Sequence, residues 1–234
     1  MINIISDFLF QKRCVGCRKI GNYICTECFS TISFNTNLTC PVCGKSSIDG
    51  ATHLYERTNA CLNGLTAGVI YKGIIKRLIY EFKYKPYISD LKNVIGKLMY
   101  EAVIQDEAFM KVLDTNPIVI PVPLFKVKER SRGYNHAALI GKIIALKFSL
   151  QFLDNALIRI KDTKPQFDLN KEQRRKNIKG VFVVNKNLIN KLIDKPILLV
   201  DDLVTTCSTL NECAKMLKKH KANLVWGVTF AREI

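Results

Sequence analysis

The sequence predicts an α/β fold in which a mainly parallel sheet is flanked by helices and is preceded by a small cysteine-rich module. Short aliphatic segments alternate with helical patterns from about residue 65 onward, which is typical of βαβ units that cover both faces of a parallel sheet. Three Cys-x2-Cys pairs fall within thirty residues near the start, where helical periodicity is scarce. We therefore divide the chain into a module at residues 1–62 and a larger domain at residues 63–234.

The individual elements follow from local patterns along the chain. Apolar residues at helical spacing predict a short amphipathic helix at residues 2–11. The Gly, Asn and Ser content of residues 14–61 predicts hairpins held by metal. Apolar runs bounded by turn residues predict strands at residues 67–71, 118–123, 156–160, 181–184, 196–200 and 224–230. Apolar residues at helical spacing predict helices at residues 73–82, 89–105, 134–148 and 208–219, with a basic helical turn at 171–177.

Length and composition set limits on the class of protein. The chain of 234 residues is 48% hydrophobic, enough for one sizeable core and a small satellite. No apolar stretch approaches the roughly 20 residues of a membrane helix, and the start lacks the cationic head and long apolar run of a signal peptide. We therefore expect a cytoplasmic protein without membrane insertion.

The formal net charge of +16 lies mainly in the larger domain. Residues 1–60 contain six Lys and Arg residues against four Asp and Glu residues, and the remainder contains 30 against 16. Such a field favours polyanions, chiefly nucleic acid or phosphorylated small molecules. A Lys-rich surface that reflects compositional bias alone is the alternative.

The cysteine pattern indicates bound zinc. Tetrahedral zinc takes four thiolates, and a Cys-x2-Cys turn presents two of them, so two such turns complete a site. A disulfide framework is the alternative, but it belongs to exported proteins. An all-cysteine shell leaves no open position for water, which makes such a zinc structural rather than catalytic. The pairs are Cys14 and Cys17, Cys25 and Cys28, and Cys40 and Cys43, with Cys61 following alone.

One segment near the carboxyl end has the chemistry of a sugar-phosphate site. An aliphatic strand at residues 196–200 is followed by two adjacent carboxylates and then by hydroxyl residues that open a helix. Carboxylates can hold the vicinal hydroxyls of a ribose, and hydroxyls with backbone N–H groups at a helix start suit a phosphate monoester. An ordinary strand-to-helix turn with an N-cap Thr is the alternative. The carboxylates are Asp201 and Asp202, and the turn contains Thr205, Thr206, Cys207, Ser208 and Thr209.

This segment resembles the phosphoribosyl-pyrophosphate (PRPP) loop of type I phosphoribosyltransferases. Four features of the chain occur in an order similar to that of the ComF family, and together they extend over nearly the whole chain. They are the zinc pairs, an Arg-Gly-Tyr-Asn-His run at 132–136, a Thr, Gln, Arg and Asn-rich stretch at 163–180, and the loop. The resemblance implies a type I phosphoribosyltransferase fold with a zinc ribbon. It also implies a cytoplasmic protein that supports DNA uptake in natural transformation, handling single-stranded DNA beside a DNA-uptake helicase and other competence proteins.

On this resemblance, Asp201 and Asp202 are the catalytic candidates and hold the ribose of PRPP, while the hydroxyl turn holds its 5-phosphate. Mg2+ accompanies the pyrophosphate and binds mainly through ligand oxygens. Arg130 and Arg132 are candidates to meet the pyrophosphate, with a solvated charge run as the alternative. Three functions stay open: a competence protein that binds DNA and PRPP, a phosphoribosyltransferase acting on a nucleobase or another acceptor, and a structural adaptor with a vestigial pocket.

Two positions depart from the family pattern. Cys207 stands where the loop usually has glycine, and we expect this residue to weaken phosphate binding without abolishing it. The second zinc site of the family pairs Cys40 and Cys43 with another Cys-x2-Cys, of which only Cys61 remains here. A second zinc would therefore need His53 or a foreign ligand as its fourth partner.

Two basic clusters are candidates for nucleic-acid contact. Single-stranded nucleic acid binds to charged tracks that carry aromatic stacking platforms. Core packing at helical spacing is the alternative for the rings, and we prefer it for Phe82. The candidates are Lys76, Lys83 and Tyr84 in the first cluster, and Arg174, Arg175 and Lys176 in the second.

Overall fold

The computed structural model describes residues 11–56, 60–84, 88–163 and 171–234. Its strands are β1 (Gly64–Ile70), β2 (Ile118–Pro121), β3 (Leu157–Arg159), β4 (Phe182–Val184), β5 (Pro196–Val204) and β6 (Leu224–Arg232). Strands β1, β6, β5 and β2 lie side by side in that order as a parallel sheet, and β3 pairs with β4 in an antiparallel manner. The predicted fold class is confirmed.

Helices cover both faces of the parallel sheet. They are α1 (Thr26–Phe29), α2 (Gly73–Lys83), α3 (Leu91–Val103), α4 (Glu107–Leu113), α5 (Lys126–Arg132), α6 (His136–Lys147), α7 (Lys171–Ile178) and α8 (Ser208–Lys219). Leu198 and Val200 of β5 belong to a core shared with α2, α3 and α6. Ile197 and Leu199 belong to a second core shared with α8. Because successive strand residues point to opposite faces, this continuous apolar run is what a sheet covered on both sides requires.

Three boundaries differ from the sequence prediction. Strand β5 continues through the acid pair to Val204, although the sequence predicts its end before these acids. The predicted helix at 89–105 ends at Val103, and the carboxylate of Asp106 caps a separate helix α4 by accepting from the N–H of Phe109. Residues 126–132, predicted as part of a loop, form α5, which ends at Gly133 in the left-handed conformation.

The cysteine-rich module lies against the β1 edge of the sheet and against α2. Phe34 forms an isolated antiparallel bridge with Val69 of β1. The Arg77 guanidinium of α2 donates to the carbonyl oxygen of Gly16 at 2.6 Å, and Val15 is fully buried in the core that contains α2. Backbone pairing, a side-chain hydrogen bond and apolar contact therefore hold the module on the domain.

None of the described helices combines the length and the apolar composition that crossing a bilayer requires. The amphipathic helix predicted from residue 2 falls on residues 1–10, which lie outside the described part of the chain. Residues 57–59, next to Cys61, and much of the predicted stretch at 163–180, namely residues 164–170, lie outside it as well.

Candidate functional site

The carboxyl ends of β2, β5 and β6 meet at one edge of the parallel sheet. Strand β2 ends at Pro121, opposite Val200, so β5 continues beyond it through the two acids. In open α/β sheets, ligands bind in the crevice at this edge. Asp201 and Asp202 therefore lie at the position where the fold provides a ligand site.

Asp202 is the deeply buried member of the acid pair. Its side chain is 3% exposed, and Lys83 Nζ lies 2.6 Å from its Oδ2 atom. His136 Nε2 lies 3.6 Å from its Oδ1 atom. Lys83 ends α2 and His136 begins α6, so two helices bring their ends to one carboxylate. Lys83, which the sequence predicts on a nucleic-acid surface, lies instead in this network with its side chain 19% exposed.

Burial and neighbouring charges shift the pKa values of this network. Burial opposes ionisation of Asp202, but the Lys83 ammonium outweighs it and lowers the pKa of Asp202 to about 2. Burial, followed by the charge of Asp202, raises the pKa of Asp201 to about 8. Burial lowers the pKa of His136 to about 4, so its ring is neutral at pH 7. One ionised and one protonated carboxyl therefore share the site at neutral pH.

Arg132 connects the acid pair to an aromatic surface. Its Nη1 atom lies 3.4 Å from Nδ1 of His136, which suits a neutral ring that accepts there and carries its proton on Nε2. Its guanidinium carbon lies 5.3 Å from the centre of the Tyr84 ring. Arg130, the other predicted pyrophosphate ligand, is exposed on α5. The structure thus brings Arg132, but not Arg130, into the network around Asp202. The sequence hypothesis assigns no role to His136, because Arg132 and His136 lie at the facing ends of two helices, α5 and α6, separated by the left-handed Gly133.

The hydroxyl turn follows β5 and leads into α8. Thr206 Oγ1 and Ser208 Oγ lie 2.8 Å apart, and Thr205 and Thr209 are half-buried in the same turn. Helix α8 begins without a hydrogen bond from its N-cap side chain. Because the N–H groups and the dipole at a helix start favour an anion, the turn has the groups that a phosphate needs.

Cys207 occupies the strained position of this turn. Its φ of 56° and ψ of 4° are the left-handed conformation that glycine adopts readily, and a residue with a Cβ atom loses about 1–2 kcal/mol there. Its side chain is buried with apolar residues of α8, and burial raises the pKa of its thiol to about 11. Cys207 is therefore a strained and weakly nucleophilic replacement for glycine.

The first two cysteine pairs form a complete metal-binding set. The four sulfur atoms lie within 4.8 Å of one another, and those of Cys17 and Cys25 are 3.6 Å apart. Thiolates at about 2.3 Å from a tetrahedral zinc ion lie about 3.8 Å apart, so the donor set fits zinc. Burial opposes ionisation of Cys14, but hydrogen bonds from backbone groups lower the pKa of its thiol to about 6. The members of the set are Cys14, Cys17, Cys25 and Cys28.

Three further ligands converge in the second knuckle, residues 40–53. The sulfurs of Cys40 and Cys43 and a ring nitrogen of His53 lie within 4.8 Å of one another. His53 Nε2 is 3.0 Å from the carbonyl oxygen of Ser46, which assigns the ring proton to Nε2. Nδ1 therefore turns its lone pair towards Cys43 Sγ, 3.4 Å away. This set fits zinc if a fourth ligand completes it.

Cys61 lies outside this set, although the sequence makes it the candidate third thiolate. Its N–H donates to Oδ1 of Asn211 in α8 at 3.2 Å. The charges that act on its thiol include that of Lys215 in the same helix. The Tyr55 hydroxyl lies instead beside the second knuckle, 3.0 Å from His53 Nδ1. The sequence gives no indication of Tyr55, because tyrosine is not among the usual zinc ligands.

The remaining residues of the first basic cluster lie on the exposed side of α2. The Lys76 ammonium lies 5.4 Å from the centre of the Tyr71 ring. Tyr80 is 60% exposed, and its ring centre is 4.9 Å from that of Tyr84. Cations and rings thus share one surface next to Arg132, whereas Phe82 is fully buried as expected.

The second basic cluster divides between two environments on α7. The Arg174 side chain is 16% exposed and lies 3.7 Å from the carboxylate of Glu233. Lys176 is 77% exposed and pairs with Glu172 at 2.7 Å. The side chain of Arg175 lies outside the described part of the structure. Arg174 and Lys176 therefore do not form one continuous basic patch.

Known proteins match both the module and the whole chain. A family model described as a double zinc ribbon domain matches residues 5–62. Competence protein F of Haemophilus influenzae is 30% identical over 236 residues, which cover 95% of this chain and 98% of the relative. Competence protein ComFC of Bacillus subtilis is 25% identical and covers 99% and 95% of the two chains, and DNA utilization protein YhgH of Escherichia coli is 26% identical and covers 86% and 87%. Because this similarity extends over nearly the full length of both chains, the protein belongs to the ComF family.

Proposed function

We propose that the protein takes part in DNA uptake or utilisation by binding single-stranded DNA together with a phosphoribosyl ligand of the PRPP type. The names of its relatives, competence protein and DNA utilization protein, support the process. The ligand is supported by one observation above all. A single edge of the sheet brings together an acid pair, a cationic network and a hydroxyl turn at a helix start.

Each part of this edge suits one part of the ligand. The half-buried carboxyl of Asp201 accepts from the ribose hydroxyls, the hydroxyl turn takes the 5-phosphate, and Arg132, in the network around Asp202, meets the pyrophosphate. Asp202 acts indirectly, because its carboxylate holds Lys83 in place. This division of roles differs from the sequence hypothesis, in which both carboxylates hold the ribose.

Mg2+ belongs to the same proposal as the partner of the pyrophosphate. The ligand atoms of Asp201, Asp202 and His136 lie within 4.8 Å of one another. Carboxylate and phosphate oxygens are the ligands that Mg2+ prefers, whereas imidazole suits softer metals. We therefore assign the cation to the ligand phosphates and to Asp201, whose carboxyl gives up its proton as the cation binds.

The exposed side of α2 is the surface that suits single-stranded DNA. Tyr80 and Tyr84 offer adjacent rings, and Arg132 and Lys76 place cations beside rings of the same surface. Bases stack on such rings regardless of sequence, while the cations attract the phosphates. The net charge of +16 supports association with a polyanion.

Calorimetric titration with PRPP and Mg2+ tests the ligand. The matched variants are Asp201→Asn, which prevents ionisation at this position without changing the shape, and Asp194→Asn, an exposed acid before β5 whose φ of 57° also suits asparagine. We expect saturable binding by the wild-type protein and by Asp194→Asn, and an affinity at least about tenfold lower for Asp201→Asn. Equal affinities for all three proteins would refute the assignment of this edge as a phosphosugar site.

A further inference from the structure

A polar cleft of about 1160 Å³ lies between the metal module and the hydroxyl turn. One wall belongs to the module, at Asn35, Thr39 and Ser46. The other wall belongs to the α/β domain, at Thr205 and Thr206 of the turn and at the end of β6. Because Thr205 and Thr206 line it, the cleft adjoins the proposed 5-phosphate position. Sites for small ligands occupy roughly 300–1,000 Å³, so the volume of the cleft exceeds what a phosphate alone needs.

The module wall has hydrogen-bonding groups that the described residues do not use. Asn35 Oδ1 and Thr39 Oγ1 are buried and have no hydrogen-bond partner among those residues. The amide orientation of Asn35 is set, because its Nδ2 donates to the carbonyl oxygen of Ala67 at 3.2 Å. An unsatisfied buried acceptor costs about 1–3 kcal/mol. Both oxygens are shielded from solvent in this structure, so a ligand N–H or O–H donor recovers that cost only when rotation of the two side chains opens them to the cleft.

The domain wall contains two arginines and the carboxylate of Glu233. Arg232 lies half-buried at the end of β6 and lines the cleft beside the hydroxyl turn. The N–H of Glu233 donates to the carbonyl oxygen of Val204 at 2.9 Å, which holds this strand end against β5. Arg174 lines the same wall and pairs with Glu233. The two guanidinium groups make this wall suitable for a phosphodiester.

The second knuckle shapes the module wall. Thr39 directly precedes the ligand Cys40, and the Ser46 carbonyl oxygen accepts from the ring of His53. The residues that line the cleft are therefore continuous with the residues that converge on the second metal position. Metal bound there would hold the wall in the shape that the cleft requires.

We propose that this cleft binds one or two nucleotides of single-stranded DNA, with a phosphodiester against Arg232 and Arg174 and a base edge against Asn35 and Thr39. The assignment deepens the proposed function and rests on its single-stranded DNA binding. A nucleotide has an anionic group at one end and N–H donors at the other, which matches the two walls. PRPP has no N–H donor, and its ribose hydroxyls are assigned to Asp201, so it leaves the acceptors of the module wall unused.

Fluorescence anisotropy with a 3′-labelled single-stranded oligonucleotide of about 12 nucleotides tests the cleft. The cleft variants are Asn35→Leu, Thr39→Val and Arg232→Gln. The matched control is Lys191→Gln, because Lys191 is exposed at the end of the 3-10 helix that precedes β5, at the opposite edge of the sheet. Zinc content and unfolding midpoint verify that each variant is folded.

We expect each cleft variant to bind the oligonucleotide about fivefold more weakly or worse, and Lys191→Gln to bind as the wild type does. Arg232→Gln should also reduce the slope of log affinity against log salt by about one. Photocrosslinking through an iodouracil base should label the peptide that contains residues 35–47. Asn35→Leu and Thr39→Val should retain PRPP affinity within about twofold, because PRPP does not use the module wall.

Unchanged oligonucleotide affinity in all cleft variants, with no crosslink to residues 35–47, overturns this inference and leaves the PRPP site standing. Weaker PRPP binding with unchanged oligonucleotide binding also overturns it, because the cleft would then belong to the phosphosugar site. A wild-type protein that binds PRPP but no single-stranded DNA overturns both the cleft and the DNA part of the proposed function. If the wild-type protein does not bind PRPP but the cleft variants lose oligonucleotide binding, the cleft is supported as a DNA site and the phosphosugar site is refuted.

Discussion

Lys83 Nζ lies 2.6 Å from Asp202 Oδ2 at the carboxyl edge of the sheet, and both side chains are largely removed from solvent. Burial opposes the charge on Lys83, but the charge of Asp202 outweighs it and raises the pKa of the ammonium. Each ion is thus the reason that the other stays charged in a poorly solvated place. The pair joins the end of α2 to β5. The position of α2 and the charge at the carboxyl edge of the sheet therefore both depend on this contact.

Replacing Lys83 with methionine should destabilise the fold because it leaves the Asp202 carboxylate buried without its cation. Breaking one partner of a buried pair costs about 3–5 kcal/mol. Lys97→Met is the matched control, because Lys97 is 78% exposed and its pair with Glu101 is open to solvent. Urea unfolding followed by the fluorescence of the single tryptophan, buried Trp226, measures both changes.

The penalty of Lys83→Met should depend on pH in one direction. The folded-state pKa of Asp202 is lowered to about 2, so its contribution is present above its unfolded pKa of about 4 and is lost as the pH falls towards 2. The difference between Lys83→Met and the wild type should therefore narrow between pH 4 and pH 2. Equal losses of unfolding free energy in Lys83→Met and Lys97→Met would show that the buried ion pair does not stabilise the fold.

Asp201→Asn should stabilise the protein at alkaline pH. The pKa of Asp201 is raised to about 8 in the folded state, so stability is fully present below the unfolded pKa of about 4 and declines as the pH rises through 8. Asparagine resembles the protonated carboxyl and removes this decline. We expect a midpoint higher by at least roughly 2–4 °C at pH 8.5, since a gain of about 1 kcal/mol already raises it by that amount, and no difference at pH 4. A shift of the same size at both pH values would contradict the raised pKa.

The sequence was sufficient for the parts of the fold that local patterns determine. Helix α8 has the predicted bounds Ser208–Lys219, because hydroxyl residues mark its start and apolar residues recur at helical spacing. The acid pair and the hydroxyl turn were placed at one sheet edge because they follow a buried strand directly. Helix α5 was missed because Lys126–Arg132 is a short, charged segment in which no residue is buried.

Contacts between distant segments could not be predicted in this way. The basic and aromatic neighbours of Lys83 predict a surface position, whereas its partner Asp202 comes from a distant part of the chain. The residue type of Cys61 predicts a metal ligand, but its backbone N–H is hydrogen-bonded to Asn211 of α8, away from Cys40 and Cys43. The sequence indicates His53 as a candidate ligand beside Cys43, but it gives no sign of Tyr55, which approaches Cys43 from the 3-10 helix Leu54–Glu56.

The protein should contain two zinc ions that depend on different residues. His53→Ala should lower the zinc content by one ion per chain, because it removes a ligand of the second knuckle, while the first site keeps its four thiolates. Cys61→Ser is the matched control and should retain both ions. Elemental analysis of dialysed protein measures the stoichiometry, and Tyr55→Phe shows whether the phenol completes the second site. Loss of one ion in Cys61→Ser but not in His53→Ala would contradict the observed ligand set.

Tyr80 should contribute to the binding of single-stranded DNA through its ring and not through its hydroxyl. Stacking of a base on an aromatic side chain contributes about 1–3 kcal/mol, so Tyr80→Ala should weaken binding about fivefold or more. Tyr80→Phe is the matched control because it keeps the ring that faces solvent beside Tyr84. Anisotropy titrations at several salt concentrations should show equal salt slopes for both variants, since neither removes a cation. Equal affinities of Tyr80→Ala and the wild type would remove this surface from the DNA footprint.

Cys207 allows a test of the hydroxyl turn that separates backbone strain from side-chain packing. Cys207→Gly removes the left-handed strain of about 1–2 kcal/mol but also removes a buried side chain, so stability should change little. Its PRPP affinity should rise, because the backbone can approach the phosphate more closely without a Cβ atom. Cys207→Val keeps apolar bulk but adds a β-branch, which the left-handed conformation tolerates poorly, and should lower both the unfolding midpoint and the PRPP affinity. Calorimetry and thermal unfolding of the two variants distinguish these effects. Equal PRPP affinities of Cys207→Val and Cys207→Gly would show that the conformation of the turn does not control phosphate binding.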